Sequence, residues 1–133
     1  LRVAPARIGL TGLESFFWLA SSPRPIRAIA SAGAVSVTAE AHPVQYVWDF
    51  GDGSDHVSRD SGRRWRRGTE GNIAHTYERS GRYDLTAEVV WQARWRIGGG
   101  AWRHLGYFST LDSRRYPVRE IVAMLTRPGW RPR

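Results

Sequence analysis

Apolar residues alternating at period two constrain this chain more than any other feature. Val44, Tyr46, Trp48 and Phe50 hold every second position of one stretch. Tyr83, Leu85, Ala87, Val89, Trp91, Ala93, Trp95 and Ile97 do so in another. Successive side chains of a strand point to opposite faces, so each stretch presents one apolar face. Phe16–Leu19 reads as a further strand closed by Ser21-Ser22-Pro23, and Ile73–Tyr77 as one broken at Ser80-Gly81. Ile26–Ala30 and Val35–Ala39 flank Ser31-Ala32-Gly33-Ala34 as a hairpin, which Pro43 ends. Gly51-Asp52-Gly53-Ser54 is a turn, and residues 54–71, without periodicity, are the long loop. The stretch 83–97 is long for a strand, so it is expected to leave the sheet as an arm. Gly98-Gly99-Gly100 would reverse it into Ala101–Thr110 as a second hairpin.

Val118, Ile121, Val122 and Leu125 fit helical spacing, but the segment is short and follows Tyr116-Pro117. It is predicted as a closing strand over 116–125, with Arg127–Arg133 a frayed tail or linker stub. Short strands separated by turns give an all-β sandwich, here one domain over 1–126. The chain has 133 residues, 41% hydrophobic and 24% charged, enough to build a core without staples. It has no cysteine, which excludes disulfide and thiolate–metal chemistry. Its longest apolar runs, Phe16–Ala20 and Ile121–Leu125, are far below the ~20 residues of a spanning helix, so no membrane insertion by this segment is expected. All 20 basic residues are arginine and the net charge is +8. GC-rich codons alone would favour Arg over Lys, yet the positive field still favours anionic partners.

One set of motifs is specific. Tyr46-Val47-Trp48-Asp49-Phe50-Gly51-Asp52-Gly53 is followed by His75-Thr76-Tyr77 and then by Gly81-Arg82-Tyr83-Asp84-Leu85. These three blocks, in this order, resemble the PKD domain (polycystic kidney disease repeat), with Leu85 where that pattern prefers Val. The resemblance covers about 35–91 well and the closing strand weakly. It implies an immunoglobulin-like β-sandwich, extracellular or in the cell envelope, used for binding or as a spacer. The arrangement is similar to secreted or membrane-anchored PKD-containing proteins of high-GC Gram-positive bacteria, with any anchor outside this segment. Three departures stand out: a long basic loop between Gly53 and His75, an inserted hairpin over 92–110, and extra N-terminal strands in 1–32.

Independently of that resemblance, Trp48 suits the space between two sheets, and Asp49 can accept hydrogen bonds from turn amides. Tyr83 follows a Gly corner as the tyrosine of a tyrosine corner does. His75 and Tyr77 share a face and are expected to brace the long loop. Asp49, Asp52 and Asp55 have two readings, as structural turn carboxylates or as a weak cation site. Histidines 42, 56, 75 and 104 show no metal-ligand spacing, and no cofactor is predicted. No H-E-x-x-H, G-x-x-x-x-G-K or G-x-S-x-G occurs, so the chain is not read as an enzyme.

The candidate binding residues lie in the departures. Arg63, Arg64, Trp65, Arg66 and Arg67 suit an anionic polymer, with Trp65 stacking on a ring. Alternatively the arginines pair with Asp49, Asp52, Asp55 and Asp60 while Trp65 tucks onto the sandwich. Trp91, Trp95, Trp102 and Arg103 pose the same choice between an exposed docking arm and core. Register predicts Arg96 opposite Trp102 and Trp95 opposite Arg103, as cation–π pairs. The expected function is a non-catalytic surface module in protein–protein contact within an envelope assembly. Recognition of a cell-wall glycan through Trp and Arg, or of nucleic acid through the Arg-rich loop, are the alternatives.

Overall fold

The computed structural model describes residues 1–122. Among them nine strands form two sheets: β1 (Arg2–Ala4), β2 (Gly9–Leu10), β3 (Glu14–Trp18), β4 (Ile26–Ala32), β5 (Val35–Asp49), β6 (Asp55–Ser58), β7 (Ala74–Thr76), β8 (Gly81–Ile97) and β9 (Arg103–Arg119). The smaller sheet has order β1-β3-β7, the larger β2-β9-β8-β5-β4, with β6 paired to the far end of β5. All pairings are antiparallel except β2 with β9.

The alternation seen in sequence fills the space between these sheets. Tyr46, Trp48 and Phe50 join Leu85, Ala87 and Val89, and Tyr116 and Val118 of β9, against Val3, Phe17, Ile73 and Tyr77 from the smaller layer. Trp48 is 1% exposed, and its indole Nε1–H donates to Ser58 Oγ at 2.8 Å, so its one polar atom is satisfied in the core. Phe17 tilts onto Phe50 at 5.0 Å, and Tyr77 stacks on Tyr83 at 4.4 Å.

The three motif blocks meet at one end of this core. Gly51 has φ +81°, and a Cβ there would lie 2.6 Å from the Asp84 carbonyl, so only glycine allows this close passage. Asp49 Oδ1 accepts from the Gly51 amide at 2.9 Å, and Asp52 Oδ1 accepts from the Ser54 amide at 3.1 Å. The His75 ring lies flat on Phe50 at 4.3 Å, and the Tyr77 hydroxyl donates to the Phe50 carbonyl at 2.8 Å. Tyr83 OH donates to the Arg79 carbonyl at 2.6 Å, which closes a tyrosine corner. The expected immunoglobulin-like sandwich is therefore present. His75 and Tyr77 brace the turn after Phe50 rather than the long loop.

Five details differ from expectation. Pro43 does not end a hairpin: β5 runs through it, with a bulge between Pro43 and Gln45. Pro43 lies beyond the last β4 pairing at Ala41 and before the first β6 pairing at Tyr46, so no neighbour on that edge requires its missing N–H. The long loop contains β6, whose Asp55–Ser58 pair with Tyr46–Asp49. Residues 92–110 are not an insertion before a separate closing strand, because β9 runs unbroken from Arg103 to Arg119 as the closing strand itself. That strand stops at Arg119, and Ile121 and Val122 are helical, while 123–126 and the tail 127–133 lie outside the described residues. Lastly, the N-terminal strands are not additions to a complete sandwich, since β1 and β3 supply two of the three strands of its second layer.

Candidate binding surfaces

The long strands of the larger sheet run 15 to 17 residues, whereas those of the layer that covers it run three to five. The upper part of the larger sheet, β4 with residues 35–41 of β5, 92–97 of β8 and 103–108 of β9, forms a four-stranded blade beyond the smaller sheet. β8 therefore stays within the sheet to its end, and the expected two-stranded arm has four strands.

The outer face of the blade is charged. Arg27 Nη2 donates to Glu40 Oε2 at 2.6 Å and Arg94 Nη2 to Glu40 Oε1 at 3.1 Å, across three adjacent strands. Hydrogen bonds from Arg27 and then Arg94 hold the Glu40 carboxyl below the usual carboxylate range. Trp102 lies against two arginines of β8, with the Arg94 guanidinium carbon 4.1 Å and that of Arg96 4.4 Å from its ring. The Nε atoms of both arginines are buried without a hydrogen-bond partner among the described residues, so the indole π face is what meets them. On the inner face Arg103 covers Trp95 at 5.3 Å. Trp91 belongs to the core: it is 5% exposed, lies parallel to Phe108 at 5.8 Å and donates to Thr110 Oγ1 at 3.0 Å. It is no surface residue.

The Arg63–Arg67 segment is a loop tied down at both ends. The Leu19 amide donates to the Ser61 carbonyl at 2.9 Å and the Phe17 amide to the Ile73 carbonyl at 2.9 Å, so the flanks bond to the edge of β3. Asn72 Oδ1 accepts from the Arg63 amide at 2.6 Å, and Asn72 Nδ2 donates to both Asp60 oxygens. Arg66 and Thr69 exchange backbone hydrogen bonds at 2.9 Å and close the tip. The expected pairing of these arginines with Asp49, Asp52, Asp55 and Asp60 does not occur among the described residues. Asp49, Asp52 and Asp60 accept turn amides instead, Asp60 from Gly62 at 2.9 Å. Trp65 remains 40% exposed rather than tucked onto the sandwich. Among the described residues, no hydrogen bond, ion pair or ring contact joins this loop to Trp95, Trp102 or Arg103. The sequence candidates thus form two surfaces rather than one.

Ser54, His75 and Asp52 also converge. Asp52 Oδ2 lies 2.6 Å from His75 Nε2 and Ser54 Oγ 3.3 Å from the same nitrogen. A nucleophile relay needs the carboxylate and the hydroxyl on opposite ring nitrogens, so this trio is a brace. Burial raises the Asp52 carboxyl, but hydrogen bonds from Ser54 and His75 outweigh it and hold the group below its ordinary value. Among the described residues no three His, Asp or Glu side chains converge as a cation site.

The expected Arg96–Trp102 cation–π pair is present, whereas Arg27, Glu40 and Arg94 are not legible as site residues in the sequence. The opposite charges of Glu40 and Arg94 on the polar phase of two alternating strands were the available signal, but only register made them neighbours. Among the described residues no helix is long and apolar enough to cross a membrane. A family model described as the PKD domain matches residues 23–93 of this chain. No curated protein and no solved structure matches it.

Proposed function

The chain belongs to the PKD domain family, whose members are non-catalytic immunoglobulin-like modules, generally extracellular and typically used for adhesion or as spacers; from that premise we propose that it is a non-enzymatic docking module of a cell-envelope assembly. Its contact with a protein partner is made by the outer face of the blade, with the Arg63–Arg67 loop as a second, separate contact. The observation that carries this reading is the Arg94–Trp102–Arg96 cluster, held rigid on β8 and still partly open to solvent. Trp and Arg on a rigid scaffold are the side chains that dominate interface energetics. A fixed guanidinium pair also loses little rotamer freedom on binding.

Binding of the purified chain to isolated cell envelope tests it. The reading expects binding to disappear after protease treatment of the envelope and to drop about tenfold in Trp102→Ala, a typical effect at an interface hot spot. Binding that survives protease but is lost after cell-wall hydrolase would replace the protein partner with a glycan. Loss on nuclease treatment, with steep salt dependence, would replace it with nucleic acid.

A further inference from the structure

The lower ends of β8 and β9 continue past the last pairing of β5 with β8, at Asp49 and Thr86. Their inner phase faces the core, where Leu85, Tyr116 and Val118 are buried. Side chains alternate, so the outer phase presents Arg82 and Asp84 on β8, and Arg115, Pro117 and Arg119 on β9. Arg82 pairs directly with Pro117. Arg115 and Arg119 stand two residues to either side of that proline, about 6.7 Å along the strand. An arginine side chain spans this distance, so three guanidiniums can reach one point above the Pro117 ring. The proline supplies a low floor without charge. Around it lies an open cleft of about 590 Å³, bounded also by Ser80, Gly81 and Val118.

These arginines differ from those of the blade, where Arg27 and Arg94 meet Glu40 and Arg96 meets Trp102. Among the described residues no carboxylate lines the cleft. The guanidiniums of Arg82 and Arg119 have no ion pair there, and the Ser80 hydroxyl has no hydrogen-bond partner. Arg115 reaches Asp84 Oδ1 only at 3.4 Å, between two largely exposed side chains. Such a pair is weak and yields to a better anion. Three arginines beside one carboxylate leave a net charge of +2 at the cleft.

We propose that this cleft binds the phosphate group of a small phosphate monoester, a sugar phosphate in size. Charge decides between the oxyanions. A carboxylate carries one charge and is satisfied by a single guanidinium fork. A phosphodiester also carries one. A phosphate monoester carries about −1.5 to −2 near neutral pH and offers three acceptor oxygens, which match the net charge and the three guanidiniums. The volume lies within the about 300–1,000 Å³ of small-ligand sites, so a sugar fits beside the phosphate. The cleft sits at the end of β8 and β9 opposite to the blade and includes no residue of the Arg63–Arg67 loop. It stands or falls separately from the docking reading above.

The test is a titration of the 133-residue chain with glucose 6-phosphate at constant ionic strength, followed by backbone amide NMR. The expected result is saturable shifts centred on Gly81, Arg82, Val118 and Arg119, reproduced by inorganic phosphate and absent with glucose. Arg82→Gln should weaken binding about tenfold by removing one charged fork. Arg119→Gln repeats the test if Arg82→Gln fails to fold. Arg24→Gln removes the same charge outside the cleft and should leave binding unchanged. Asp84→Asn frees Arg115 and should tighten binding, by up to about fivefold. Shifts that never saturate, equal shifts from succinate or from dimethyl phosphate, or equal losses in Arg24→Gln and Arg82→Gln would each overturn the proposal. Succinate would point to an acidic peptide, and dimethyl phosphate to a nucleic-acid backbone. Envelope binding through Trp102 is a different readout and survives any of these results.

Discussion

The lower and upper halves of β5, β8 and β9 are the same strands with the same alternation, and they end in opposite environments. In the lower half the apolar phase meets a second layer and Trp48, Leu85 and Tyr116 vanish from solvent. In the upper half the phase continues through Ala39, Trp95 and Ile97, beyond the reach of the smaller sheet's strands. Period-two patterning therefore specifies a face and says nothing about what lies across from it. The lower half contributes most of the hydrophobic stabilisation of the monomer, so the two halves must respond differently to the same substitution.

Trp48→Ala is the strongest way to separate them. Deleting this side chain from the core should cost roughly 3–5 kcal/mol, enough to unfold a marginal domain. Trp95→Ala, on the same face but higher up, should cost less, about 1–2 kcal/mol in the monomer, since Trp95 is only partly buried, lies outside the core cluster and loses a cation–π contact with Arg103. Equal losses in chemical denaturation would erase the distinction between core and blade.

Tyr77→Phe comes next. It leaves the Phe50 carbonyl without its buried donor, at about 1–3 kcal/mol, and loosens the turn that carries Asp52. A melt indistinguishable from wild type would show that water replaces the hydroxyl there.

Titration should act on the lower half at both extremes. Burial, followed by the nearby Asp52 charge, raises the Tyr77 hydroxyl, and burial raises that of Tyr116 despite the hydrogen bond with Ser15. Their contribution is complete below the unfolded value of 10.0 and declines as pH rises above it, because the unfolded chain releases protons that the folded one retains. Asp52 has the opposite sign: its contribution is complete above the unfolded value of 3.8 and is lost as pH falls below it. Melts across pH should therefore fall at both ends, and Asp52→Asn should remove part of the acid limb. An acid limb unchanged in that variant would assign it to other carboxylates.

The smallest effect concerns the aspartates of the turn. Calcium or chelator should shift the melt by no more than about one degree, because Asp49, Asp52 and Asp60 already accept turn amides. A large loss on chelation, restored by calcium, would revive the cation reading of Asp49, Asp52 and Asp55.

Local physics made the sandwich readable. The alternation through Trp48 and Leu85, the turn that requires Gly51 and the Tyr83 corner are short-range features, each fixed by a few neighbouring residues. β6 was not readable, because Asp-His-Val-Ser alternates only weakly and becomes a strand by pairing with β5. The fate of the tryptophans is likewise hidden: Trp91 and Trp95 are four residues apart on one face, and one is core while the other is only partly buried.

The residues alone settled that the chain is all-β, which phase of each long strand is apolar, and where the Asp-Gly turn falls, since these follow from backbone periodicity and glycine's access to positive φ. The tertiary structure settled how far the second layer reaches, that β9 is both hairpin arm and closing strand, and that Arg27, Glu40 and Arg94 meet across three strands. Those are matters of register and of layer on layer. Burial depends on what stands opposite a face, and residues distant in the chain supply that.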